Sequence, residues 1–102
     1  MFDIEWIKEK IRKEEEYFSK HADQERQNDN LTLKEIKEAL LNSILLEQYE
    51  DTGRGESCLL AGFTNLGKPI HIVCGKAKTN HLVIITVYIP MPPKFKNPYE
   101  RG

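Results

Sequence analysis

At 102 residues, with 39% hydrophobic and 30% charged side chains, the chain can bury one core and is too apolar to be a disordered segment. No apolar stretch approaches the roughly 20 residues that cross a bilayer, and its two cysteines are too few for a secreted disulfide framework. We therefore expect a single cytoplasmic domain, residues 1–102, that does not bind membranes and keeps its thiols free.

The net charge of −1 conceals two halves of opposite sign. Residues 1–56 carry 15 acidic and 9 basic side chains, whereas residues 57–102 carry 1 acidic and 6 basic. A basic half can bind a polyanion, but two oppositely charged halves can also simply attract each other within one fold. The charge pattern leaves both interpretations open.

The first helix is predicted from hydrophobic periodicity. Ile4, Ile7 and Ile11 recur at intervals of three and four residues, with lysine, arginine and glutamate on the other side. This spacing is typical of an amphipathic helix that buries one face. Residues 1–16 are therefore assigned to an extra N-terminal helix.

A capping box gives the clearest helix boundary in the sequence. Residues 17–19 are predicted as a short extended stretch and 21–27 as a helical turn or two. Thr32 and Glu35 then have the spacing at which hydroxyl and carboxylate each accept a hydrogen bond from a free backbone amide. The helix that begins here should end near Asn42.

The second half changes to patterns typical of strands. Four β-like runs are separated by turn residues, and they are too close together for helical crossovers, so the sheet should be antiparallel. These runs are residues 44–49, 57–63, 69–75 and 82–89. Asn65-Leu66-Gly67 should close a hairpin that places Cys58 opposite Cys74. The predicted fold is α+β, with N-terminal helices packed on a four-stranded antiparallel sheet and a core over residues 17–89.

The last segment, residues 90–102, is rich in proline and in basic residues, and we call it the tail. Its prolines cannot continue a ladder, which predicts extended or polyproline-like chain. Lys94 and Lys96 are interleaved with Phe95 and Tyr99. This pattern suits contacts with a nucleic-acid backbone and stacking on its bases.

Three groups of residues could carry chemistry. His21 and Arg26 fall on the short second helix, where an imidazole could transfer a proton and a guanidinium could hold a phosphate. Arg54 lies between two glycines that would let a ligand approach the backbone. His71 lies inside an apolar strand, where a polar side chain needs a partner. Each group also has a structural interpretation, as helix surface, flexible loop or hydrogen-bonded core histidine.

No metal or cofactor site is expected. His71 and Cys74 are three residues apart in one strand, so their side chains should point to opposite faces and cannot share an ion without a bulge. Phosphate-loop and metal-helix motifs are missing from the sequence.

An ordered set of motifs is more specific than any of these residues alone. It consists of Ser19-x-His21-Ala22 followed by Arg26, Glu38-Ala39-Leu40, Glu47-x-Tyr49, Arg54-Gly55, Gly67-Lys68-Pro69-x-His71-x-Val73 and Ile85-Thr86-x-Tyr88-x-Pro90. The set resembles a family known as domain of unknown function 4258 (DUF4258), over about residues 17–95. In that family an arginine commonly stands three residues after the first histidine, where this chain has Gln24.

The resemblance implies a fold and a function. The family is similar to the RelE and ParE toxins in its layout of helices followed by a sheet, and its members are often encoded beside small zinc-ribbon antitoxin-like proteins. The resemblance therefore implies a RelE-like fold and a metal-independent ribonuclease, of the mRNA interferase type, in a toxin–antitoxin pair. RNA and such a small protein are the expected partners, with a homodimer as a further option.

A metal-free ribonuclease needs an acid, a base and cations for the phosphate. On the resemblance, His71 and His21 would share the acid and base roles, and Arg54 and Arg26 would hold the phosphate. Substrate contacts would come from Tyr88, Lys94 and Lys96. This interpretation requires His21, Arg54 and His71 to meet in one cleft. The alternative is a non-catalytic module that binds a protein or nucleic acid, for which no such cleft is needed.

Overall fold

Helices occupy the first half of the chain and strands most of the second. The computed structural model describes residues 2–51, 53 and 55–102. Its helices are α1 (Ile4–Arg12), α2 (Lys20–Asn28) and α3 (Leu33–Leu41). Its strands are β1 (Glu16–Phe18), β2 (Ser43–Tyr49), β3 (Ser57–Phe63), β4 (Pro69–Lys76), β5 (Leu82–Tyr88), β6 (Phe95–Asn97) and β7 (Glu100–Arg101).

The helix ends follow from local chemistry. The capping box of α3 is confirmed, because the Thr32 hydroxyl accepts from the Glu35 amide and the Glu35 carboxylate accepts from the Thr32 amide, each at 3.0 Å. Helix α1 ends earlier than residue 16 because Glu14 adopts a left-handed conformation, with φ +57°. The chain can then turn into β1.

The sheet has five strands in the order β1-β5-β4-β3-β2, and β1 runs parallel to β5. The predicted four-stranded antiparallel sheet is therefore wrong, although the four predicted strands exist and pair antiparallel with one another. The missing strand has only three residues, too few to show an alternating pattern. It reaches β5 because the intervening α2, α3 and β2–β4 provide the long connection that parallel pairing requires.

The central hairpin agrees with the prediction. The amide of Thr64 donates to the carbonyl of Lys68 at 2.9 Å, and Gly67 has φ +88°, which glycine adopts readily. Its register sets Cys58 opposite Cys74, and both are buried free thiols. The predicted pairing of Cys58 with Cys74 across the hairpin is confirmed.

All three helices lie against one side of the sheet. The core there is built mainly of aliphatic side chains, with Ile7 from α1 and Ile36 from α3 among those fully buried. Helix α3 approaches β3 so closely that a Cβ on Gly62 would stand 2.0 Å from the Ala39 carbonyl oxygen. In the described part of the chain, no helix is both long and apolar enough to cross a membrane.

The opposite side of the sheet, which we call the open face, receives the tail. Strands β6 and β7 form a separate two-stranded hairpin, so the tail does not join the ladder of the main sheet, but it pairs with itself instead of running as the predicted extended or polyproline-like chain. Pro98 is accommodated because it lies in the turn, where the Asn97 carboxamide oxygen accepts from the amides of Tyr99 and Glu100 at 2.8 and 3.0 Å.

Candidate active site

His71 lies near the start of β4 and points to the open face, where it has no solvent exposure. Its Nε2 is 2.6 Å from the carbonyl oxygen of Pro98, and its Nδ1 is 3.1 Å from the Tyr88 hydroxyl. A carbonyl oxygen can only accept, so Nε2 carries the hydrogen of the neutral ring and Nδ1 accepts from the Tyr88 O–H. Both ring nitrogens are satisfied.

A β-bulge in β5 brings Tyr88 to this histidine. Cys74 pairs with Ile84 but Val73 pairs with Thr86, so Ile85 is the extra residue. Ile84 and Val87 both face the helices, which at a spacing of three is possible only across a bulge. Without the extra residue Tyr88 would point toward the helices instead of lying opposite His71.

A second bulge brings Glu47 to the same face. Leu45 pairs with Leu60 on the helix side, whereas Glu47 pairs with Leu59, so Leu46 is the extra residue in β2. The Glu47 carboxylate accepts from the Tyr49 hydroxyl at 2.5 Å. Two bulges in the two strands that flank the β3–β4 pair therefore aim Glu47 and Tyr88 onto the face that carries His71.

The tail completes the cluster. Phe95 is buried edge-on against the His71 ring, with centroids 4.4 Å apart, and Arg101 lies 4.9 Å over the Phe95 ring. The Arg101 guanidinium donates two hydrogen bonds to the Glu47 carboxylate, both 2.8 Å long. His71, Tyr88, Glu47, Phe95, Pro98 and Arg101 are called the His71 cluster below.

The surroundings fix the charge of each group. Burial lowers the pKa of His71, and the cationic Arg101 and Lys94 lower it further, so the ring is neutral near pH 7. Hydrogen bonds, first from Arg101 and then from Tyr49, lower the pKa of Glu47 to about 2. Burial raises the pKa of Tyr88, which remains protonated as a donor.

The other predicted site residues lie around this cluster. Lys94 places its ammonium 4.9 Å over the Tyr88 ring, whereas Lys96 pairs with Glu100 on the exposed side of the tail hairpin. Arg54 lies outside the residues that the structure describes.

Helix α2 carries the remaining two predicted site residues, Arg26 and His21. Arg26 donates to Asp23 at 2.8 Å and to the Leu31 carbonyl at 3.4 Å, which ties it to the end of α2. His21 is largely exposed, with Nε2 3.3 Å from Glu25 Oε1, and the same oxygen accepts from the Val87 amide at 3.1 Å. His21 therefore contacts Glu25, which is bonded to Val87 of β5, and none of its described contacts is with a member of the His71 cluster.

Sequence reasoning assigned no role to Glu47, Arg101 or Pro98. Glu47 was missed because β2 contains a bulge, and the apolar run Ile44-Leu45-Leu46 does not show which of its residues is the extra one. Arg101 and the Pro98 carbonyl join the cluster through tail folding, which no local pattern predicts. Among the residues described, no group of three or more His, Cys, Asp or Glu side chains is arranged to hold a metal ion.

Comparison with known proteins identifies the family. The sequence model of a domain of unknown function, DUF4258, matches residues 18–89. No curated protein and no solved structure matches the chain. The matched range contains α2, α3 and the strands β2–β5 that carry His71, Tyr88 and Glu47, and it leaves out α1 and the tail. Because the match covers well over half of its residues, the chain belongs to the DUF4258 family.

Proposed function

We propose that the protein is a toxin-like, metal-independent endoribonuclease whose reactive groups are His71 and Glu47. The observation that carries the proposal is that two separate bulges turn Glu47 and Tyr88 onto the face of His71. A carboxylate and an imidazole within one cluster can divide base and acid roles. The resemblance of the family to the RelE and ParE toxins supplies the substrate class, RNA, and the expectation of a RelE-like fold.

The chemistry can be written for the cluster without its tail. The Glu47 carboxylate takes the proton of a ribose 2′-hydroxyl, and the 2′-oxygen attacks the adjacent phosphorus. The bond from phosphorus to the 5′-oxygen breaks, and the His71 imidazolium donates its Nε2 proton to that oxygen. With the tail displaced, solvent supplies the second ring proton on Nδ1, where the Tyr88 hydroxyl changes from hydrogen-bond donor to acceptor, and Glu47 afterwards releases its proton to solvent. The products are a 2′,3′-cyclic phosphate and a 5′-hydroxyl.

In this proposal His21 and Arg26 no longer have the acid–base and phosphate-binding roles that the sequence suggested. His21 faces Glu25, and Arg26 is engaged with Asp23, so Glu47 is better placed than His21 as the partner of His71. Lys94 belongs to the tail, so it keeps its predicted role as a contact for RNA and supplies no cation beside Tyr88 once the tail is displaced. Arg54, which is not among the described residues, keeps its predicted role as a phosphate ligand.

Cleavage of a labelled RNA tests the proposal. The parent protein should release 2′,3′-cyclic phosphate ends with chelator present. His71→Gln and Glu47→Gln should each slow cleavage by about 10²-fold or more, since each removes a proton-transfer group. His81→Gln is the matched control, because this histidine lies beyond the end of β4 and contacts Thr79 and Tyr17. Equal rates in the parent, H71Q and E47Q would refute the assignment.

A second candidate is favoured by the part of the open face that the tail leaves uncovered. Val73, Val83 and Ile85 are only half-buried and line a groove of about 780 Å³ together with Tyr49. An apolar groove of this kind suits a protein partner, such as the small zinc-ribbon protein expected from the family resemblance. If the chain is only such a binding module, it binds its partner without cleaving RNA, and H71Q binds as well as the parent.

A further inference from the structure

The tail seals the groups to which the proposed function assigns proton transfer. The Pro98 carbonyl occupies Nε2 of His71, and Arg101 occupies both oxygens of Glu47. Phe95 covers the imidazole ring, which has no exposure to solvent. A substrate atom cannot reach Nε2 while residues 95–101 hold this position.

Few contacts attach the tail to the rest of the chain. Strands β6 and β7 pair with each other and are not part of the five-stranded sheet. Of residues 91–102, only Phe95 is buried. Apart from Phe95, the described contacts between the tail and the rest of the chain include the Arg101–Glu47 ion pair, the Pro98–His71 hydrogen bond, the tilted Phe63–Tyr99 ring pair and the Lys94 ammonium over the Tyr88 ring. A unit with so little buried apolar surface can open at a much smaller cost than the whole fold.

We propose that residues 91–102 form an autoinhibitory lid, held shut by the Arg101–Glu47 ion pair, which must leave the open face before His71 and Glu47 can act. Opening frees Nε2 of His71 and, at the same time, removes from Glu47 the guanidinium that suppresses its basicity. One movement therefore uncovers both reactive groups. The consequence for catalysis rests on the proposed ribonuclease, but the lid itself can be tested without RNA.

The test measures how fast diethyl pyrocarbonate acylates each histidine of the full chain at pH 7, with mass spectrometry to locate the adducts. In the parent, His71 should react about tenfold or more slowly than the exposed His21. Arg101→Ala should raise the rate at His71 about fivefold, the scale expected for a partly exposed bidentate pair. Glu47→Gln, which weakens the same pair from the other side, should do likewise.

Two controls separate lid opening from other effects. Arg12→Ala removes an arginine from an exposed ion pair with Glu9 on α1 and should leave the rate at His71 unchanged. Cys58 and Cys74 are buried on the helix side, so their reaction with a thiol reagent reports global unfolding. Lid opening should raise the rate at His71 while both thiols stay protected.

Three results would overturn the lid. In the first, His71 of the parent reacts as fast as His21. In the second, neither Arg101→Ala nor Glu47→Gln changes the rate at His71. In the third, the thiols become reactive in step with His71, which means that only global unfolding exposes it. None of these outcomes depends on whether RNA is cleaved, so failure of the lid and failure of the ribonuclease assignment are distinguishable.

Discussion

His71 shows how far one side chain depends on its neighbours. A histidine within an apolar strand is costly unless both nitrogens find partners, and here one partner comes from the adjacent strand and the other from the tail. The sequence could place the residue in a strand and require partners for it. The sequence could not identify Pro98 as the partner, because every residue has a backbone carbonyl and the residue type does not mark this one.

The titration of His71 should loosen the tail in mild acid. The pKa of His71 in the closed state lies below the ordinary 6.5, so below that pH the opened or unfolded chain binds a proton that the closed state does not. The closed tail should therefore be fully stable above about pH 6.5 and lose stability progressively as the pH falls. Besides Arg101 and Lys94, which disfavour the imidazolium, Glu47 also faces the ring and favours it.

Hydrogen exchange of the tail amides between pH 7 and 5, corrected for the intrinsic rate, measures this loss. The parent should lose protection in that range and His71→Gln should not. Glu47 acts in a separate window, because its pKa is lowered from 4.5 to about 2, so its contribution disappears only as the pH falls from about 4.5 to 2. Identical pH profiles for parent and H71Q would exclude His71 as the titrating group.

The helices and turns that could be predicted are those that depend on residues close together in the sequence. The capping box fixed the start of α3, and Gly67 marked the central hairpin. Strand β1 was missed as part of the sheet because three residues carry no period and its partner is distant in sequence. The bulges at Leu46 and Ile85 were missed because each follows another apolar residue, Leu45 or Ile84, so the sequence does not show where the face changes.

The contact of α3 with β3 gives a prediction at this scale. Gly62→Ala would place a methyl group against backbone atoms of Ala39, which can move only if the helix moves. Overpacking of this kind should lower the free energy of unfolding by about 1–3 kcal/mol. Urea unfolding followed by circular dichroism measures the change. Ser57→Ala, on the same strand but facing away from the helices, should change the free energy of unfolding less. Equal decreases in the two variants would show that α3 and β3 can accommodate the added methyl group.

The whole molecule combines an acidic helical half with a basic sheet half. If RNA binds through the basic half, affinity should fall steeply with salt, because bound phosphates release counterions. The double variant Lys94→Ala/Lys96→Ala should weaken binding and reduce the slope of log K against log salt by about 1.4. Lys8→Ala/Lys34→Ala removes the same charge from the acidic half and should leave the slope unchanged. An unchanged slope of log K against log salt in Lys94→Ala/Lys96→Ala would show that the phosphates contact other residues.

Trp6, the single tryptophan, is a fluorescent probe that lid opening should not affect. The ammonium groups of Lys10 and Lys76 both contact Trp6, at 5.5 and 5.4 Å from its ring centre. Lys76 is the last residue of β4 and His71 lies near its start, so about 17 Å of strand separates the two residues. The fluorescence of Trp6 should follow the docking of α1 and the cooperative loss of the fold. The near-ultraviolet circular dichroism of Tyr88, which the tail covers, and of Tyr99, in the turn of the tail hairpin, should instead follow lid opening. A single sample can therefore report two events of different free energy in two separate spectral bands.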